Sequence, residues 1–275
     1  MKPELKRTAD HGTTRRHALR VARDVPGGFT LVELLVVIAI IAILAAMLLP
    51  VLASAKTKAK IKKAQMEMAQ LVIAIQEYDS AYNRFPVATK AQDLATQAGE
   101  DFTYGVDFLD AKLPGLVKPA FYSSYKPDNS DVIAILLDLT NYPSTGQPTV
   151  NMNHVKNPKR QVFLTAHMSG DTVSSGVGTD LVYRDPWGNP YFITMDLNYD
   201  EKARDVFYRL QGVSQQNGQA GFNGLFNSKD PGGNGNHFEE NSKVMVWSLG
   251  PDKLLAPNTR ANEGVNRDNV IGWKQ

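Results

Sequence analysis

Cysteine is absent from the 275 residues. That excludes a disulfide scaffold, a Cys-ligated zinc site, an iron–sulfur cluster and a cysteine nucleophile. It leaves the redox compartment open, because many exported proteins lack disulfides. Histidine is scarce as well, and His11, His17, His154, His167 and His237 form no HExxH or other ligand-spaced pair. GxSxG, Walker A and GxGxxG patterns are all missing. Gly232-Gly233-Asn234-Gly235 lacks the Lys-Ser/Thr of a phosphate cradle and follows no expected strand. The chain is therefore expected not to be an enzyme. A one-signed body charge is also lacking: the net charge is +2, but residues 1–28 carry +4 and the remainder −2. The basic character belongs to a leader, so no nucleic-acid partner is expected.

What the sequence does have is Leu34 to Ala55, 22 residues without a charge. At about 1.5 Å per residue the run spans roughly 33 Å as a helix, enough to cross a bilayer core of about 30 Å. A buried core helix of that length would show a polar face, and this one has none. A cleaved secretory signal would have a shorter apolar stretch of about 7–15 residues ending in a small-x-small site. The Arg15-Arg16 pair stands too far from the apolar run for a good twin-arginine signal.

Past the span come Lys56, Lys58, Lys60, Lys62 and Lys63, then Ile61, Ala64, Met68, Leu71, Ile75, Tyr78 and Tyr82 at spacings of 3 and 4. That seam marks an amphipathic helix. Phe29 to Tyr82 is read as one helix, apolar all round in its first half and on one side in its second. Pro86 disfavours helix at Phe85 and so ends it. The lysines after the span read as a solvated face with some attraction to lipid headgroups. Because basic residues flank both ends, the positive-inside rule leans only slightly towards a cytoplasmic N-terminus.

Further on, Ser130 is expected to cap a helix over Asp131–Leu139. Strands are expected at Gln161–Ala166, Leu181–Arg184, Tyr191–Met195 and Lys243–Ser248. Asp185-Pro186-Trp187-Gly188-Asn189-Pro190 is turn chemistry that would join the middle two as a hairpin. Gln211–Asn236, rich in Gly, Asn, Gln and Ser, reads as a long surface loop.

Glu33 stands out on physical grounds, since an ionisable group beside a span is costly to bury and calls for a partner. The segment Gly28-Phe29-Thr30-Leu31-Val32-Glu33, with the basic leader before it and Pro50 within the span, resembles the N-terminal signature of the type IV pilin superfamily. The resemblance implies cleavage by a prepilin peptidase between Gly28 and Phe29, then methylation of the new Phe29 amine. It also implies that Glu33 pairs with the amine of a neighbouring subunit, neutralising two charges that are each expensive near lipid. Pro50 cannot donate its backbone hydrogen bond, so it weakens the helix within the membrane.

Three further motifs, Tyr78-x3-Tyr82-x-x-Phe85-Pro86, Asp185-Pro-Trp-Gly-Asn-Pro-Tyr191 and Trp247-Ser-Leu-Gly-Pro-Asp252, are similar to the major (G-type) pseudopilin of type II secretion. That resemblance implies a structural calcium, held here by the Leu249 carbonyl, Asp252 and Asp268, with Glu263 as second choice to Asp268. The expected fold is α+β and pilin-like: a long N-terminal helix packed on a small antiparallel sheet with long loops. The expected organisation is a cytoplasmic leader (1–28), a transmembrane half-helix (29–55), its soluble continuation (56–86), an insert without assigned role (87–180) and a β-rich region (181–275). The implied partners are prepilin peptidase, further copies of the chain in a filament, an inner-membrane assembly platform, minor pseudopilins and membrane lipid. The implied location is the bacterial inner membrane, with the C-terminal domain in the periplasm. A surface pilin, or an adhesin-like module binding through 87–180, is the alternative.

Overall fold

The computed structural model describes residues 28–274. The expected leader, Gly28 apart, lies outside the described residues. The chain divides into two units, residues 1–51 and 52–275. Helix α1 runs from Leu31 to Tyr82 and has Pro50 as its single internal proline. In the first unit its large apolar side chains are all exposed. In the second unit the spacing of 3 and 4 buries Ala64, Met68, Leu71, Ile75 and Tyr78, as expected, with Ile61 and Tyr82 half-buried at the margin. The helix stops where Asn83 turns left-handed at φ 52°, a conformation asparagine tolerates better than most residues.

Four shorter helices follow: α2 (Thr89–Ala98), α3 (Val106–Lys112), α4 (Ser130–Leu136) and α5 (Gln211–Ser214). The central sheet is antiparallel, in the order β1 (Phe102–Tyr104), β4 (Phe192–Met195), β9 (Val244–Ser248), β10 (Val270–Ile271). A two-stranded ribbon pairs β2 (Gly176–Val177) with β3 (Tyr183–Arg184). A second four-stranded sheet runs β5 (Gln215–Asn217), β6 (Ala220–Gly221), β7 (Phe226–Asn227), β8 (Phe238–Glu239). The result is α+β, a long helix packed on small antiparallel sheets. Gly272 allows that packing, because a Cβ there would lie 3.2 Å from Met68 Cβ and 2.8 Å from the Val246 carbonyl.

Away from α1, Trp247 forms the centre of the core. Its ring stacks on Phe192 at 4.3 Å and meets Phe207 and Tyr208 at 5.6 and 5.0 Å. Its indole N–H donates to Asp205 at 3.0 Å, and Thr194 donates to the same oxygen at 2.9 Å. The other Asp205 oxygen accepts the Phe207 and Tyr208 amides, both at 2.8 Å. A carboxylate with no exposed surface is tolerable when both its oxygens are filled in this way.

Several sequence expectations are corrected. Gln161–Ala166 forms no strand: the amides of Phe163 and Leu164 both turn to the Leu136 carbonyl instead of a neighbouring strand. The helix near Ser130 ends at Leu136, and Ser130 is its first residue rather than its cap. The Ser130 hydroxyl faces Tyr142 at 3.3 Å, while Asp128 accepts its amide. The strands flanking the Asp185–Pro190 turn do not form a simple hairpin. They touch at an Arg184–Pro190 bridge, but β3 pairs with β2 while β4 pairs with β1 and β9. Gln211–Asn236 is not a plain loop, since it holds α5 and three strands of the second sheet.

Residues 87–180 are tied into the fold at several points. They supply β1, the edge strand of the central sheet. Tyr82 donates to Asn157 Oδ1 at 2.6 Å, Tyr78 donates to the Lys156 carbonyl, and both rings pack on Phe163. Asn129 clamps both sides of the turn, donating to the Tyr183 and Tyr191 carbonyls at 3.0 and 2.8 Å and accepting the Tyr183 amide at 2.8 Å.

At the start of α4, Asp131 is buried and accepts the Tyr125 hydroxyl at 2.9 Å. Burial pushes its carboxyl from 3.8 up to about 6, so the folded state holds the proton more tightly than the unfolded chain. Its contribution to stability is full below about pH 4 and is lost as pH rises through about 6. Asp131→Asn is therefore expected to stabilise the detergent-solubilised protein by about 2–3 kcal/mol at pH 7.5. In denaturant titrations that gain should vanish near pH 4, and a gain equal at both pH values would contradict the assignment.

Candidate functional site: the N-terminal segment and the turn cluster

The N-terminal segment is built for access. Among the described residues, chain neighbours aside, nothing lies within 4 Å of where a Gly28 Cβ would be, and Phe29 is 75% exposed. Two residues on, Thr30 and Glu33 form a capping box. The Thr30 amide and hydroxyl donate to Glu33 Oε2 at 2.8 and 2.7 Å, and the Glu33 amide donates back to Thr30 Oγ1 at 3.2 Å. Thr-x-x-Glu before an apolar run is a sequence signature of a helix start. Glu33 thus acts locally, stitching the first turn of α1, and still presents an exposed carboxylate. The apolar stretch that follows is long enough to cross a membrane, and none of it is buried. An uncovered apolar surface of that size needs lipid or a protein partner. Pro50 falls near its end, inside the helix.

Two of the three remaining motifs, Asp185–Tyr191 and Trp247–Asp252, meet in space. Asp185 is buried at the start of its turn, where Oδ1 accepts the Trp187 and Asn189 amides at 2.7 and 2.9 Å. Its other oxygen accepts the Asn189 side-chain amide at 2.8 Å and the Ser248 hydroxyl. Asn189 reaches on to the Gly250 carbonyl at 3.0 Å. The Asp185–Tyr191 turn is thereby bolted to the Trp247–Asp252 segment. Tyr191, the last residue of the turn motif, donates its hydroxyl to Glu67 of α1 at 2.6 Å. Burial raises the Glu67 carboxyl, and Tyr191 and Lys63 oppose that rise. Glu67 stands between seam residues Ala64 and Leu71, and its buried polar contact was not foreseen from the apolar pattern.

Of the candidate calcium ligands, Asp252 and Asp268 come together. The Asp252 amide donates to Asp268 Oδ2 at 3.1 Å. Burial and the Asp252 carboxylate push the Asp268 carboxyl up. Gly250 makes this approach possible: at φ +69° a Cβ would sit 2.1 Å from the Asp268 carbonyl. Leu249 is buried beside them, and Glu263 is exposed at the start of a short 3₁₀ turn. The donors are the hard oxygens calcium takes, but two carboxylates and one carbonyl fall short of its usual 6–8 ligands. Among the described residues, no three acidic or imidazole side chains are gathered as a ready-made metal site.

Residues 26–49 match the family model for the prokaryotic N-terminal methylation motif. The matched stretch contains Gly28, Phe29, Thr30 and Glu33, the residues whose geometry is described above. It is a prepilin-type signal, as type IV pilin-like proteins carry, and the match supports the type IV pilin superfamily. No curated protein matches the chain, and no solved structure does.

Proposed function

We propose that this chain is a structural subunit of a type II secretion pseudopilus. Prepilin peptidase cuts it between Gly28 and Phe29 on the cytoplasmic side and methylates the new amine. Residues 34–55 hold it in the inner membrane, with the C-terminal unit in the periplasm, until the assembly platform and minor pseudopilins draw it into a filament. The observation that carries this reading is the methylation motif at 26–49, joined to an apolar helix that no described residue covers. The joining of the Asp185–Tyr191 turn to the Trp247–Asp252 segment favours a secretion pseudopilin over a surface pilin. In this reading a calcium at the Leu249 carbonyl, Asp252 and Asp268 pins the end of β9 to the segment before β10.

The test is intact and N-terminal peptide mass spectrometry of the membrane-purified protein. A mature chain beginning at methylated Phe29 is the expected result. A chain beginning at Met1, or cut near Ser54–Ala55, would overturn the proposal.

A further inference from the structure

At one end of the central sheet two acids face each other. The β1–β4 register pairs Phe102 with Met195 and Thr103 with Thr194, and one residue further it sets Asp101 opposite Asp196. The Thr103 and Thr194 hydroxyls touch at 2.9 Å. With the two-residue period of a strand, Asp101 and Asp196 project from that same face. They are 5% and 1% exposed. Like charges directly opposite one another on a sheet are destabilising, and more so when water is excluded.

Asp101 is only half satisfied. Its Oδ2 accepts the Arg204 amide at 2.7 Å, whereas Oδ1 is buried without any hydrogen-bond partner. The neighbouring cations are committed elsewhere. The Arg204 guanidinium donates to Glu239 and Glu100, Lys202 to Glu239, and Lys243 to Glu201. An orphaned buried carboxylate oxygen of this kind calls for a ligand.

Asp196 also opens the loop Asp196-Leu197-Asn198-Tyr199-Asp200-Glu201-Lys202. Oxygen side chains at its first, third and fifth positions have the spacing of a calcium loop. In such loops the sixth position turns sharply and the seventh offers its backbone carbonyl. Here the sixth, Glu201, is left-handed at φ 66°, a conformation that normally selects glycine. Asp196 accepts the Asp200 and Glu201 amides at 3.1 and 2.9 Å, which curls the loop over its own first residue. The acidic twelfth position of an EF-hand is Phe207 in this chain, so the loop alone lacks its far carboxylate. Asp101 stands immediately before β1, opposite Asp196 by continuation of the β1–β4 register, and offers a carboxylate from a second segment of the chain.

We propose that Asp101, Asp196, Asn198 and Asp200, with the Lys202 carbonyl, form a divalent-cation site selective for calcium. It is separate from the Asp252–Asp268 pair. The three carboxylates are not gathered in this structure; Asn198 and Asp200 lie nearer the solvent than Asp101 and Asp196, and rotation of their side chains inward closes the site around the ion. The bound cation cancels the Asp101–Asp196 repulsion and gives the free Asp101 oxygen its partner. It also fixes the end of β4 to β1.

The test is thermal unfolding of the full-length, detergent-solubilised protein in EDTA, in millimolar magnesium and in millimolar calcium. Calcium is expected to raise the midpoint by about 5–10 °C over EDTA, with magnesium well below it. Asp252→Ala should keep most of that rise. Asp101→Asn and Asp200→Ala should lose it, and Asp101→Asn should also melt higher than the parent protein in EDTA, because the repulsion is gone. Asp200 is exposed, so its replacement leaves folding intact. No calcium shift in the parent protein, a shift that survives Asp101→Asn and Asp200→Ala, or one abolished only by Asp252→Ala would each overturn the proposal.

Discussion

Glu33→Ala is expected to leave the chain membrane-inserted and cut after Gly28, yet to lower filament yield at least tenfold. Two roles of the carboxylate could produce that loss, and they can be separated. As a cap, Glu33 accepts the Thr30 amide and hydroxyl at the start of α1. As a charge, on the proposed reading, it would meet the amine that cleavage creates on a neighbouring subunit. Glu33→Gln keeps a side-chain acceptor at the right place for a capping box but carries no charge. Thr30→Ala does the opposite, costing about 1 kcal/mol of helix start while leaving the charge. If the ion pair governs assembly, Glu33→Gln should be nearly as defective as Glu33→Ala, and Thr30→Ala should assemble at close to normal yield. Pulldown of sheared filaments, with processing checked on the same samples, reads both quantities. Normal filaments from Glu33→Gln would remove the charge from the mechanism.

The second large effect is in the core. Trp247→Ala deletes the ring that Phe192, Phe207 and Tyr208 surround, which costs about 3–5 kcal/mol in the fully buried case. It also removes one donor from Asp205, whose oxygens are all buried, adding about 1–3 kcal/mol. Against a typical total of about 5–15 kcal/mol, that sum is enough to unfold the second unit or leave it marginal. Trp247→Phe keeps most of the stacking but loses the N–H, and should cost about 1–3 kcal/mol. Near-UV circular dichroism and limited proteolysis would report the difference. A Trp247→Ala protein melting within a few degrees of the parent would show that the ring carries little of the core.

The helix and its seam were legible because a single periodicity runs unbroken from Ile61 to Tyr82, and because Leu34–Ala55 tolerates only one environment. Two strands, β4 and β9, were found within a residue of their ends for a related reason: they are mostly apolar and buried along their whole length. The small elements were not legible. Strands of two residues, such as β6 and β7, carry no pattern long enough to have a period; they are set by pairing across the second sheet, with Asn227 bracing the following turn through the Asn234 carbonyl. Gln161–Ala166 has the composition of a strand, but Asn157 and the Leu136 carbonyl take up its backbone. At the N-terminal site, Gly28, Phe29, Glu33 and Pro50 stand out through the resemblance to the pilin signature, with Glu33 marked also by the cost of a charge beside the span. The Asp101–Asp196 opposition was not legible, because it depends on a register joining residues far apart in the chain. Half of that site, the Asp-x-Asn-x-Asp spacing, was in plain view.

The clasp of residues 87–180 onto the fold bears on how the protein can be engineered. Trimming that stretch to make a smaller subunit would strip β1 from β4 and leave the β4 edge with unpaired amides and carbonyls. Such an edge, flanked by apolar side chains, invites strand addition from another molecule, so the shortened chain would be prone to aggregate. Insertion is the safer alteration. The turn around Gly146 is exposed, with Gly146 at φ 68° and open space where a Cβ would point. An epitope or fluorophore-binding tag placed there would load no core contact, which makes that turn a practical handle for imaging the protein in cells.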